Sequence, residues 1–529
     1  MSLVLLGLIT LFLFKEGIEF FSQYEGELTV SRRSGMEYAN IVTKQYREQT
    51  ALYWYLEKIL SEETAYFDSL SQDDHRKEQA RKAKDKFLAF TRSFQDTMEL
   101  LLHYEKNIVD LANETRLFIA TREVVLDLRR EAIALDLPKE DFSQSIDQLE
   151  KRISFSSQEL ERWQNYFIRH NRDDLAKRID PRWSDKTENT KEGEIRNHVL
   201  KIEGSLDKEY TLIIENQRRD FTKIFENFED AFCLENSKAS FAKARIAMNE
   251  YFAKVPQYHD LLSQWDPTEP HPRHKAFTNF ILGTEWVTTS PRQNWYGVLP
   301  LLSGSLLVTF IALFIAIPMG VGSAVYVNQV ASRWEKAIIK PGLEFIAVIP
   351  SVVIGFFGIK ILAPIIYLFT DERLNSLTAG CLLAFMAIPT IFTLSEDALN
   401  NVSKSFSEAS LSLGATRWQT CTAIIFPSAF PGIVSAVLLG LGRVIGETMV
   451  VLLCAGNKST IPDFTSGLGV FAQPVHTMTG IIAQEMGEVE GDSIHYRALF
   501  MVGVVLFLLS LSINYLSQSA MRKHKLSYS

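Results

Sequence analysis

The chain has 529 residues, a net charge of −8, a mean hydropathy of +0.00 and four cysteines, none of them in a CxxC pair. The modest acidic balance gives no case for a nucleic-acid-binding surface, and the cysteine spacing argues against a disulfide framework or a zinc site. The flat hydropathy averages two unlike parts: a stretch from about 22 to 277 rich in Glu, Lys, Arg, Gln and Asp, and an apolar stretch bearing Gly and Pro from about 296 onward.

The start, MSLVLLGLITLFLFKEGIEFF, is apolar from Leu3 to Phe14. It lacks the positive n-region and the small-x-small site of a signal peptide. It therefore reads as an uncleaved first membrane helix, running on through Ile18, Phe20 and Phe21, with its cytoplasmic end clipped by a late start. Residues 22–277 read as helical throughout. After Pro138, the residues Phe142, Ile146, Leu149 and Ile153 recur every three or four positions, an amphipathic stripe. Helices are predicted over Tyr24–Leu60, Asp73–Leu111, Glu114–Leu137, Lys139–Asp173, Glu192–Phe228 and Ser237–Leu262, as an antiparallel bundle or coiled-coil hairpins. WDPTEPHP, Trp265 to Pro272, is the exit linker.

Five further apolar segments read as membrane spans: Leu299–Val327, Phe345–Tyr367, Leu377–Leu394, Gly432–Ala455 and Ala498–Leu516. With the first helix the predicted fold is all-α, a six-helix transmembrane bundle carrying a mostly helical insertion. Lys360 lies near one end of its span and can snorkel. Pro318, Pro350, Pro364 and Pro389 punctuate the spans; among packed helices such breaks are tolerable, because neighbours satisfy the freed backbone groups. The domains expected are 1–21 (first span), 22–277 (insertion) and 278–529 (membrane domain).

Basic residues set the orientation. Arg333, Lys336 and Lys340 follow the second span, Lys404 and Arg417 the fourth, and Arg522, Lys523 and Lys525 the last, all on one side, the cytoplasm. Asp463, Glu485, Glu488, Glu490 and Asp492 fall opposite. The N-terminus is then inside and the polar insertion outside.

The cytoplasmic loop 401–430 is the most regular segment. Leu411 and Leu413 give its first helix an apolar side, and Ser405 or Ser407 is placed to cap it. Gly414 can take the positive φ that ends it. A second helix restarts over Arg417–Ile425, and Pro427 is expected to stop it before the membrane. Such an elbow can pass force from a partner to a span; a plain amphipathic connector on the lipid surface is the alternative.

In the next span, GIVSAVLLGLGRVIGETMVVLLCAG, Arg443 and Glu447 stand four residues apart, on one face of a continuous helix and able to pair. Ionisable groups inside a span mark polar pathways or functional sites; a structural ion pair to a neighbouring helix is the alternative. Thr448 adds a hydroxyl beside them. His476 and His495, in the loop after this span, read as surface residues rather than ligands. No stretch reads G-x-x-x-x-G-K-[ST], so this chain is not expected to cradle nucleotide phosphates. No catalytic triad or metal constellation stands out.

The pattern Glu408-Ala409-Ser410, Gly414, Ile424 and Pro427 resembles the EAA signature of permease subunits of ABC importers, with Ser410 and Phe426 as mild departures. FLFKEG, FILGTEW, TSPRQNWYGVLPLLSGSL, IPSVVIGFFG and LGRVIGETMVVLLCAGN closely resemble the PstC-type permease of the phosphate importer. The likeness covers 1–21 and about 278–520; the large insertion departs from it. The resemblance implies a type I ABC importer permease fold in the bacterial inner membrane, with Arg443, Glu447 and Thr448 in the translocation pathway. An arginine suits phosphate, being planar, always charged and weakly hydrated. The loop would dock on an ATPase. The implied partners are a PstA-like sister permease, two PstB-like ATPase subunits using ATP and magnesium, a PstS-like external phosphate-binding protein, and membrane lipid. The chain itself would bind no cofactor and catalyse no hydrolysis. Transport of another oxyanion, and a membrane sensor with a helical ectodomain, remain alternatives; the role of the insertion is not legible.

Overall fold

The computed structural model describes residues 2–70, 76–134, 206–227, 234–266, 270–272, 274–288, 293–370 and 372–525, with isolated positions between 161 and 176. The predicted helix Lys139–Asp173 and its stripe lie outside the described residues except at those positions. The chain divides into two compact units, Met1–Glu25 with Pro272–Ser529, and Gly26–His271.

The second unit is helical among its described residues. Helix α1 (Ser2–Arg33) enters it, followed by α2 (Met36–Ser69), α3 (Lys77–Ala134), α4 (Leu206–Asn227) and α5 (Glu235–Ser263). Two predicted boundaries are corrected. The continuous helix expected over Tyr24–Leu60 is interrupted at Gly35, whose φ of 82° no β-carbon-bearing residue adopts cheaply. The two helices expected over 73–111 and 114–137 are one, because nothing between Leu111 and Glu114 breaks a helix. Phe87, Phe90 and Phe94 share one face of α3 and pack with Phe221, Phe225 and Phe241 in a buried aromatic core. Beside it lies a fully buried polar layer: Gln45 and Gln49 of α2 donate to the Tyr251 hydroxyl at 2.9 and 2.7 Å, and Gln49 donates to Gln217 at 2.8 Å. These bonds satisfy most of the layer, although Gln49 Oε1 has no partner among the described residues.

In the first unit, the apolar start of α1 packs along the last helix, α17 (Ile494–Lys525), with Phe12 edge-on to Phe500 at 5.6 Å and Phe14 to Phe507 at 6.1 Å. Arg497 of α17 lies 2.9 Å from Glu19 and 3.7 Å from Glu16. A short helix, α6 (Lys275–Leu282), and a two-stranded antiparallel ribbon, β1 (Trp286–Val287) with β2 (Trp295–Tyr296), lead into the apolar helices. These are α7 (Leu299–Gln329), α8 (Arg333–Val348), α9 (Ser351–Phe357), α10 (Ala363–Tyr367) and α11 (Ser376–Asn400), then α12 (Lys404–Ser412), α13 (Arg417–Thr420), α14 (Phe426–Ile445), α15 (Met449–Cys454) and α16 (Met478–Glu485). Among the described residues four helices, Leu299–Gln329, Ser376–Asn400, Arg417–Ile445 and Ile494–Ser519, are long and apolar enough to cross a membrane. A fifth candidate is the pair α8 and α9–α10, bent by 94°.

That bend falls inside the span expected over Phe345–Tyr367, at Pro350, one of the prolines that punctuate the spans. Pro350 has no amide hydrogen and forces Ile349 out of the helical region, to φ −63°, ψ 125°. Pro364 and Pro427 act differently: each closely follows one wide π-turn, Gly358–Leu362 and Cys421–Ile425, in which the i→i−5 bond opens the ladder where a proline ring would otherwise clash. The second elbow helix therefore does not stop at Pro427; it runs from Arg417 to Ile445 as one rod. α11 sits at the centre of the bundle. A β-carbon on Gly320 of α7 or Gly440 of α14 would come within 2.9 and 2.7 Å of Ile391, so only glycine permits this approach.

Candidate functional site

The long apolar helix ends at Ile445, ten residues before the predicted boundary at Ala455. Gly446, Glu447 and Thr448 form a break, and α15 restarts at Met449. The break's exposed backbone is satisfied locally. Thr479 donates its hydroxyl to the Glu447 carbonyl at 2.8 Å, and the Glu447 carboxylate accepts from the Met449 amide at 3.3 Å, at the positive end of α15. An interrupted helix of this kind is stable in an apolar bundle only when neighbours supply such bonds.

The break also corrects the expected ion pair. Glu447 lies past the end of α14, so the four-residue spacing no longer places it over Arg443. Among the described residues the two form no salt bridge. Arg443, in the last turn of α14, is exposed and donates from Nη1 to the Thr390 hydroxyl of α11 at 2.7 Å. Its cation also faces the negative end of its own helix. Glu447 and Thr448 are half-buried; Thr448 turns its hydroxyl to the Gly446 carbonyl at 3.4 Å. The structure thus brings Arg443 together with Thr390, which sequence reading did not single out. A lone threonine in an apolar span carries no pattern; its neighbour Pro389 was the nearest signal.

The elbow is a built turn. Gly414 has φ +87°; its amide bonds to Leu411 O at 3.0 Å and the Ala415 amide to Ser410 O at 3.2 Å, the paired bonds of a Schellman ending. The restart is held by a capping box: Thr416 accepts from the Gln419 amide at 3.2 Å, and Gln419 accepts from the Thr416 amide at 2.9 Å. The spacing T-x-x-Q over Thr416–Gln419 is the local sequence signal for this box. Ser403, not Ser405 or Ser407, occupies the N-cap of α12, with no side-chain cap bond. Ser410 is buried and shares a 2.9 Å hydrogen bond with Thr420, tying the two arms together. Glu408, Ala409, Gly414 and Pro427 are exposed, and Ile424 is half-buried. Leu413, 90% exposed, and Trp418, 66% exposed, lie at the tip. The elbow thus carries an apolar tip and is continuous with a long helix.

His476 is not a surface residue, and His495 is half-buried. His476 is buried; its Nδ1 accepts from the Thr477 amide at 3.0 Å, so Nε2 carries the proton and donates to Gln484 at 3.1 Å. Burial pushes its pKa down. His495 pairs with Glu485 at 2.7 Å, and Glu485 also accepts from Trp286 and Thr288. The pair closes the ribbon onto α16 and α17.

Residues 316–522 match the family described as binding-protein-dependent transport system inner membrane component. The chain is 38% identical to the probable ABC transporter permease protein YqgH of Bacillus subtilis over 45% of its own length and 77% of that protein's. It is 30% identical to the phosphate transport system permease protein PstC of Xylella fastidiosa strain Temecula1, over 44% of this chain and 76% of that one. It is 31% identical to PstC of Haemophilus influenzae, over 46% and 81%.

The chain belongs to the binding-protein-dependent transport system inner-membrane component family. It is a multi-pass inner-membrane permease subunit of an ABC transporter, with helical membrane spans, of a family whose members are typically not catalytic.

Proposed function

We propose that this chain is the permease subunit of an ATP-driven importer of inorganic phosphate. The observation that carries the reading is Arg443: a full positive charge in an apolar helix, beside a helix break, with a neutral hydroxyl as its partner. A cation so placed gives a dehydrating anion a resting point. The names of the relatives that share this region support phosphate as that anion. Glu447 and Thr448 line the break beside it; Glu447 fixes the restart of α15 and sets a negative charge that limits how long an anion stays.

The elbow Glu408–Pro427 docks on an ATPase subunit pair, PstB-like, whose closure on ATP and magnesium swings the rod Arg417–Ile445. A PstA-like permease completes the pathway and a PstS-like protein delivers phosphate from outside. The start of α1 serves as a sixth span, residues 22–277 lie outside the cytoplasm, and 278–529 form the membrane domain. Family membership favours transport over the sensor alternative.

The test is uptake of labelled phosphate and of labelled sulfate in cells whose only phosphate importer contains this chain. Phosphate uptake that stops when the chain is deleted supports the reading. Unchanged phosphate uptake, or loss of sulfate uptake alone, contradicts it.

A further inference from the structure

We infer that Thr390 is a positioning and specificity residue of the anion site, resting on the reading of Arg443 as a pathway residue. An arginine side chain ordinarily reaches past four rotatable bonds, and its fork finds a carboxylate where one is available. Here Nη1 is anchored on the Thr390 hydroxyl at 2.7 Å, across from α14 to α11. α11 is the central helix, wedged between Gly320 and Gly440 at Ile391, the very next residue. The anchor therefore sits next to a closely packed contact between three helices. Pro389 precedes it, is buried, and has no amide hydrogen to offer, while its carbonyl accepts from Thr393.

The neutrality of the anchor matters more than its strength. A carboxylate partner would hold the guanidinium more tightly but cancel its charge. A hydroxyl fixes the fork and leaves the charge whole. The bond uses one of five guanidinium donors and one of the hydroxyl's acceptor sites. The hydroxyl's own proton then remains for donation, side by side with the remaining N–H groups. An oxyanion arriving at Arg443 meets a charged N–H donor and a neutral O–H donor in fixed relation, which favours an anion with acceptor oxygens spread over a tetrahedron. Glu447, the acidic residue that spacing places nearest, is kept away by the helix break and by its bond to the Met449 amide.

The experiment is phosphate uptake by the intact transporter carrying Thr390→Val, Thr390→Ser, Thr390→Asp or Arg443→Gln, with assembly checked by co-purification of the partner subunits. Losing a hydrogen bond to a charged group predicts that Thr390→Val lowers maximal uptake about tenfold and raises the apparent KM. Thr390→Ser restores both to near wild type. Thr390→Asp keeps an anchor but neutralises the fork, and abolishes uptake although the complex assembles; a purely structural bond would survive that change. If Thr390→Val does not assemble, Thr390→Ser against Thr390→Asp gives the same contrast. Loss of uptake in Arg443→Gln together with wild-type uptake and KM in Thr390→Val or Thr390→Asp overturns the role of Thr390 alone. Wild-type uptake in Arg443→Gln overturns the pathway reading beneath it.

Discussion

A charged group within an apolar span is stable only when its surroundings keep part of its hydration or replace it. Arg443 meets that condition with a hydroxyl, a helix C-terminus and an open side. On the proposed reading its planar fork is the property in use, so lysine is no equivalent. Arg443→Lys should retain the charge, lose the anchored fork, and lower phosphate uptake by about ten- to a hundredfold, as expected from one or two charge-assisted hydrogen bonds. At a second residue, His476, burial holds the folded pKa below 6.5. The unfolded ring gains its proton first as pH falls, so this contribution is full above 6.5 and is lost as pH drops through that value toward the folded pKa. Thermal unfolding of the purified subunit should therefore lose stability from pH 7 to pH 5 more steeply than in His476→Asn; parallel slopes would speak against it.

At the scale of elements, the elbow is the part most legible beforehand. Glycine at 414 announced a left-handed ending, and its φ of +87° agrees. Gly414→Ala should cost about 1 kcal/mol locally, and Thr416→Ala, which removes the capping box, about 1 kcal/mol more. Both should loosen coupling, read as ATP hydrolysis that continues while uptake falls by several-fold. Equal loss of both activities would point to misfolding instead. The helix break at Gly446 was not legible. A four-residue spacing announces a pair only if the helix continues, and a single glycine in an apolar run is as often a packing contact, as Gly440 shows. The two π-turns were hidden for a related reason. Proline predicts a stop or a kink, and whether a wider turn absorbs it depends on the packing around it. The bond to Thr390 joins residues 53 apart in sequence and has no local signature.

For the whole molecule, two compositions predict two environments, and the chain divides into Met1–Glu25 with Pro272–Ser529 and Gly26–His271, a few residues away from the boundaries expected at 21/22 and 277/278. On the proposed reading, charge asymmetry places the polar unit outside the cytoplasm: Arg333, Lys336, Lys340, Lys404 and Arg417 stand against Glu485, Glu488, Glu490 and Asp492. A membrane-impermeant thiol reagent applied to intact spheroplasts should label a cysteine at exposed Lys238 and spare one at exposed Lys404. Labelling at Lys404 with protection at Lys238 would invert the topology and remove the elbow from the cytoplasm. Helix boundaries within the polar unit were the weakest part of the sequence reading, because long amphipathic stripes continue across positions such as 111–114 and give no mark where a helix ends.

All three scales converge on whether an anion pauses at Arg443. The most direct measurement is phosphate uptake in cells carrying Arg443→Gln within a complex that assembles and reaches the membrane at wild-type level. The account predicts uptake at background with partner subunits still bound. Uptake at the wild-type rate would contradict it.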